Sequence, residues 1–236
     1  MSAAKKIPAV VPAPPAASAR KRILLVDDHP FMRAGLAQLI DRQPDLAVCG
    51  EAGNPSEAGG LLARTVVDLL LTDITMPGRS GLEFIKDVRA VHPRLPILVI
   101  SMHDELIYAE RALKAGARGY IMKEAGGENL LAAIRQILAG QIYVSARMSG
   151  RILDNLSSRK PRGSQSPIQQ LTDREFEVFQ LIGQGLSTRD IAERLHLSSK
   201  TVDVHRGHIK EKLDLKDVTA LVRHAVRWTE TQGSTL

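Results

Sequence analysis

Three aspartates, a serine and a lysine follow short apolar runs and could together handle a phosphoryl group. Asp27 and Asp28 follow the run at 22–26, Asp73 follows 66–71, Ser101 follows 96–100 and Lys123 follows 118–122. Carboxylates brought to one point repel each other and are costly to hold together without a cation. Oxygen donors of this kind suit Mg2+, which takes few carboxylates and keeps several waters. A lysine and a hydroxyl beside such a site offer a cation and a donor to phosphoryl oxygens. Asp73 then stands as a nucleophile able to carry an acyl phosphate. Taken singly, each acid could cap a helix or sit in a solvated loop. Here all five groups occupy the same place in a repeating pattern.

That pattern is strand then helix. Apolar runs at 22–26, 46–49, 66–71, 96–100 and 118–122 read as strands buried on both faces. Helical spacing follows from Pro30 to about 40, then over 55–64, 81–91, 104–115 and 128–139. Pro30 suits a first helical turn, and Gly116 and Gly140 suit helix ends. Five strand–helix units imply a doubly wound parallel sheet of flavodoxin-like type, whose ligands bind beyond the carboxyl ends of the strands. The five groups belong at that edge.

Beyond residue 140 the periodicity is helical only. One further helix is expected within 145–156, and 157–167 (SSRKPRGSQSP) reads as a polar hinge. Thr172 and Glu175 are spaced as a capping box for a helix to about 182. A short helix over 188–195, a tight turn at 196–198 and a longer helix over 199–213 capped by Ser199 then form a helix-turn-helix, with a last helix over 218–229. The expected organisation is a tail at 1–20, an α/β domain at 21–140, a linker at 141–167 and an all-helical domain at 168–236.

On the helix from 199 to 213, Val202, Ile209 and Leu213 face inward with part of His205. Lys200, Asp203, Val204, Gly207 and Glu211 face outward, with Lys210 on the flank. Lys200, Arg206, Lys210 and Lys212 are placed for phosphates, and Val204 for a thymine methyl. Asp203 could accept from a cytosine amino group or deter wrong sequences. His205 and His208 lie three apart, but no third metal ligand is evident nearby.

Composition narrows the classes. With 236 residues, 44% hydrophobic and 25% charged, the chain has apolar material for two modest cores, and 3% aromatics makes them aliphatic. No apolar run approaches the roughly 18 residues of a membrane span. Prolines interrupt the apolar stretch of residues 1–20, so a secretory signal is not expected and a cytoplasmic location is. The single Cys49 excludes an intrachain disulfide and reads as a small buried strand residue. Residues 21–140 hold 14 Lys and Arg against 15 Asp and Glu, and residues 141–236 hold 15 against 11. Any nucleic-acid contact therefore belongs to the second half.

The strings ILLVDDHP, LLLTDITMPGRSGLEFI, SMHDE and GYIMKE make residues 22–140 resemble a response-regulator receiver domain. LTDREFEVFQLIGQGLSTRDIAERLHLSSKTVDVHR and IKEKLDL make residues 168–230 resemble a LuxR-type helix-turn-helix domain. Together they resemble the NarL/FixJ class of two-component transcription factors. The resemblance implies phosphorylation of Asp73 by a sensor histidine kinase, Mg2+ held by Asp27, Asp28, Asp73 and the backbone carbonyl of Thr75, and Lys123 on the phosphoryl oxygens. It implies that Ser101 moves to the phosphoryl group and Tyr120 turns inward behind it. Double-stranded promoter DNA would meet Lys200, Thr201, Asp203, Val204, His205, Arg206 and Lys210. A homodimer formed on phosphorylation would use Leu221, Val222 and Ala225, although packing within their own domain is also open to them. RNA polymerase is a further partner of such a regulator. Met102 and Asp203 depart from the family pattern, the first narrowing access to the pocket. The competing class is a magnesium-dependent phosphohydrolase, which usually carries a second acid two residues after its nucleophile. Thr75 stands there, and turnover of an external substrate is not expected.

Overall fold

In a computed structural model, residues 20–76, 80–157 and 167–233 are described. The tail up to residue 19 and residues 158–166 of the expected hinge lie outside them. Five parallel strands, β1 (Lys21–Val26), β2 (Leu46–Ala52), β3 (Leu69–Thr72), β4 (Ile97–Ser101) and β5 (Gly119–Met122), pair in the order β2-β1-β3-β4-β5. Every residue of β3 and β4 is buried, as their unbroken apolar runs require. Helices α1 (Pro30–Asp41) and α5 (Gly127–Leu138) cover one face of the sheet. Helices α2 (Pro55–Leu62), α3 (Gly81–Val91) and α4 (Glu105–Ala115) cover the other.

Two departures from the expected strands concern the edges. β3 starts three residues late, leaving Val66 exposed, and β2 runs three residues further. The β1–β2 register slips so that Ile23 faces Val48 and Leu24 faces Gly50. Cys49 is the residue skipped. It is half-buried at the irregularity, not a core residue, and packs against the margin of the core. Its neighbours on this edge strand are half-buried too, since the strand is covered less fully than β3 and β4.

After α6 (Ala146–Ser157) come α7 (Asp173–Gly183), α8 (Thr188–Leu195), α9 (Ser199–Lys212) and α10 (Val218–Gly233). The Thr172–Glu175 capping box is formed, and Ser187 with Asp190 makes a second one at α8. Ser198, not Ser199, caps α9, its hydroxyl accepting the Thr201 amide at 3.0 Å. The helix thus begins at Ser199 itself, one residue after the cap, and the left-handed His196 closes α8 just before the turn. Helices α7 and α10 cross closely at Gly183, where an added Cβ would lie 2.7 Å from the Ala225 carbonyl.

The apolar interior differs from two separate cores. One cluster fills the α1–α5 side of the sheet. The other runs from the α2–α4 side through Tyr108 and Phe176 into the helical domain, continuing to Val202, Ile209, Leu221 and Ala225. The scarce aromatics make that junction. His103 stacks on Tyr108 with centroids 4.6 Å apart, Tyr108 meets Phe176 edge-on, and Phe176 and Phe179 both meet Trp228.

Candidate functional site

The parallel order β2-β1-β3-β4-β5 puts the ends of β1 and β3 side by side and that of β5 one strand further, beyond β4, and the residues that follow these ends meet above the sheet edge. Lys123 Nζ lies 2.6 Å from Asp73 Oδ2 and 2.7 Å from Asp27 Oδ2, with all three side chains buried. Oδ1 of Asp73 accepts the backbone amides of Ile74 at 2.5 Å and Thr75 at 3.1 Å, which fixes the carboxylate plane. Gly81 holds this loop in place, since a Cβ there would sit 2.3 Å from the Ile74 carbonyl oxygen. Burial pushes the Asp73 carboxyl above its ordinary value, against the pull of Lys123 and the Thr75 amide. Burial alone would lower Lys123, but Asp73 and Asp27 outweigh it and hold the ammonium charged above the usual lysine range.

The sequence reading passed over His29 as a member of this group. Its Nδ1 lies 2.8 Å from Asp28 Oδ1 and 3.3 Å from Asp27 Oδ1. One ligand atom from each of Asp27, Asp28, His29 and Asp73 falls within 4.8 Å of all the others. The signal was present, in the residue directly after the acid pair.

Ser101 is fully buried at the end of β4, and its Oγ accepts the His103 amide at 3.2 Å. Tyr120 donates its hydroxyl to the His103 carbonyl at 2.7 Å and is also fully buried. Expected to turn inward, Tyr120 is already inside. Both residues thus grip the backbone of His103. That imidazole in turn lies 2.7 Å from the Thr75 hydroxyl. Met102 is largely exposed.

The second site is an exposed helix face. Val202 and Ile209 anchor α9 in the core, and Lys200, Asp203 and Val204 face solvent, Val204 at 49% exposure. Thr201 is half-buried and engaged with the Ser198 cap, and Lys210 is half-buried on the flank. Two cations expected at phosphates are engaged elsewhere. Arg206 donates to the Thr188 hydroxyl, tying α9 to α8, and Lys212 pairs with Glu175 at 2.7 Å. His205 is half-buried with Nδ1 enclosed, and burial and then Arg174 hold its imidazole below the ordinary histidine range. Leu221 and Ala225 are fully buried within their own domain. Of the expected dimer face only Val222 reaches the surface, because the i, i+4 pair is consumed by the packing of α10 on α7.

Comparison with known proteins resolves the class. Residues 23–135 match the model of the response regulator receiver domain, and residues 169–225 that of the bacterial regulatory proteins of the luxR family. The oxygen regulatory protein NreC of Staphylococcus haemolyticus is 35% identical over 87% of this chain and 97% of its own. The nitrate/nitrite response regulator protein NarL of Escherichia coli K12 is 38% identical over 82% and 89%. The chain belongs to the NarL class of two-component response regulators. It controls transcription by binding DNA. A crystal structure of a LuxR-family two-component response regulator from Aurantimonas sp. SI85-9A1 superposes with a TM-score of 0.55 at 37% identity, covering 58% of this chain and 99% of that one.

In this response regulator the two sites are joined by an interface that no local pattern announced. Arg111 of α4 lies over the Phe176 ring at 4.0 Å, donates to the Ile168 and Leu171 carbonyls, and reaches Asp173 at 3.2 Å. Lys86 of α3 meets the same Asp173 at 2.6 Å. Ser80 donates to Glu177 at 2.6 Å, and the Tyr108 hydroxyl to Gln180. Burial raises the Glu177 carboxyl against the pull of Ser80 and Arg174. The partners are 57 to 97 residues apart in the chain. The only sequence hint was aromatic scarcity, with four of the eight Phe, Trp and Tyr residues gathered in one place.

Proposed function

We propose that a sensor histidine kinase phosphorylates Asp73 and that the acyl phosphate raises affinity for promoter DNA. The observation that carries this reading is the buried contact of Lys123 with both Asp73 and Asp27. Such a cation keeps a carboxylate nucleophile ionised and stands ready for the phosphoryl oxygens. On transfer, an Asp73 oxygen forms the bond to phosphorus and the donor's leaving atom departs with its electron pair. Lys123 exchanges its Asp73 contact for a phosphoryl oxygen.

The residues fit Mg2+. Their donors are mainly carboxylate oxygens, and one such atom from each of Asp27, Asp28 and Asp73 lies within 4.8 Å of the others, with the His29 ring against Asp28 Oδ1 at 2.8 Å. Asp27, Asp28, Asp73 and the Thr75 carbonyl would hold the ion, which when bound offsets the carboxylate charge facing an incoming phosphoryl group. Asp28→Ala should weaken Mg2+ affinity in direct titration.

Ser101 and Tyr120 carry the signal through His103. A Ser101 hydroxyl drawn to the phosphoryl group leaves the His103 amide, and the His103 ring is stacked on Tyr108 at the domain junction. Opening that junction frees the helix-turn-helix for a duplex. On it, Lys200, Thr201, Asp203, Val204 and Lys210 meet DNA in the cytoplasm. A homodimer formed on phosphorylation uses the exposed Val218 and Val222 of α10, and RNA polymerase is the further partner. Incubation with a small phosphodonor and Mg2+ tests the assignment: the wild type is labelled on Asp73 and the Asp73→Asn protein is not. Undiminished labelling of Asp73→Asn would sink it.

A further inference from the structure

The mouth of the acidic pocket is flanked by the other domain. A cavity of about 300 Å³ is lined on one side by Asp28, Thr75 and His103, and on the other by Arg174, Gln184 and Arg194. Arg174 and Glu177 of this lining cancel, lying 2.7 Å apart with little exposure. Arg174 also donates to the Leu195 carbonyl at 2.8 Å. Arg194 is different. It stands exposed at the last turn of α8, with no ion pair or hydrogen bond among the described residues. It nonetheless lines the same cavity as Asp28, Thr75 and His103.

Asp27, Asp28 and Asp73 against Lys123 leave the pocket electronegative, whereas a phosphodonor arrives as an anion. An unpaired guanidinium at the rim of a low-dielectric cleft offsets that repulsion and concentrates the anion. The same side chain sits on the first helix of a helix-turn-helix, the element that crosses the nucleic-acid backbone. An arginine there can face the pocket or a DNA phosphate, but not both.

We propose that Arg194 recruits small anionic phosphodonors to Asp73 while the domains are closed, and that DNA binding withdraws it. The proposal rests on Asp73 as the phosphoryl acceptor. With acetyl phosphate, the bond from phosphorus to the acetyl oxygen breaks, an Asp73 oxygen takes its place, and acetate leaves with the electron pair. No proton or oxidant is needed.

The test is the labelling rate of the full chain against acetyl phosphate concentration, with Mg2+ at low salt. Arg194→Ala should raise the half-saturating concentration about three- to tenfold and leave the maximal rate nearly unchanged. Arg194→Lys should recover most of the loss, and the difference should shrink as salt screens the charge. Saturating duplex DNA should bring the wild type to the Arg194→Ala curve and leave the variant's own curve where it is. Separately, Arg194→Ala should flatten the salt dependence of duplex binding by about one unit of log–log slope. Identical half-saturation for wild type and Arg194→Ala overturns the proposal while labelling stays confined to Asp73. Labelling that survives Asp73→Asn removes the underlying assignment as well.

Discussion

The acidic pocket around Asp73 and the exposed face of α9 are built by opposite means. The pocket buries charge: Asp27, Asp73 and Lys123 hold one another at 2.6 to 2.7 Å, and a parallel sheet brings them together from positions up to 96 residues apart. The outward face of α9 leaves Lys200 and Asp203 in water, while Val202, Ile209, Arg206 and Lys212 fasten the helix to its domain. A buried cluster is over-determined, since each member is costly without the others. An exposed face is free to vary because nothing else depends on it. The proposed function puts the chemistry in the first kind of site and the sequence preference in the second.

The largest effects should come from the supports of the buried site. Gly81→Ala places a Cβ against the Ile74 backbone, which cannot yield without moving the loop that holds Asp73. Urea unfolding should show a loss of about 1–3 kcal/mol, accompanied by slower Asp73 labelling. Full stability with full labelling would mean that the pocket is less tightly framed than described.

On α9 the contrast sharpens. Asp203→Lys and Val204→Ala change exposed groups, so melting should not move while the sequence preferred in a binding-site selection does, by about 1–3 kcal/mol at one position of each half-site. Lys210→Ala should weaken all sequences alike and flatten the salt dependence by roughly one unit. An altered motif from Lys210→Ala with an unaltered one from Asp203→Lys would reverse the assignment of faces.

The smallest effect separates the two kinds of charge within the helical domain itself. Burial pushes the Glu175 carboxyl up, but Lys212 and the Thr172 amide and hydroxyl outweigh it and hold it below the usual range. A depressed folded value means stability that is present above the unfolded value of about 4.3 and lost as pH falls through the folded one. Lys212→Met should therefore lower the thermal midpoint near neutral pH and converge with the wild type in acid. A gap that persists at low pH would assign the loss to packing instead.

The pocket was legible because strand ends are legible. Each of Asp27, Asp28, Asp73, Ser101 and Lys123 terminates an apolar run, and a parallel topology turns that shared place in the pattern into proximity. Boundaries were less so: β3 begins late because Val66 and Val67 read as strand from their type alone, whereas pairing starts at Leu69. The α9 face followed from helical periodicity, but the engagement of Arg206 with Thr188 and of Lys212 with Glu175 did not. The spacing of a surface cation says where it points, not what it meets. The domain junction was invisible because Arg111–Asp173 and Tyr108–Gln180 join segments with no shared local pattern. For the same reason Leu221 and Ala225 could not be divided between a dimer face and a core until α10 was placed on α7.

The central claim is that chemistry at Asp73 controls what the helix-turn-helix can reach. Titration of the full chain into a duplex recovered by binding-site selection, before and after treatment with acetyl phosphate and Mg2+, tests it directly. A coupling of about 1–3 kcal/mol, as is usual between linked sites, predicts a gain of roughly 5- to 150-fold for the wild type. Asp73→Asn should show none. Equal affinity with and without the phosphoryl group, in a protein shown to carry it on Asp73, would contradict the account.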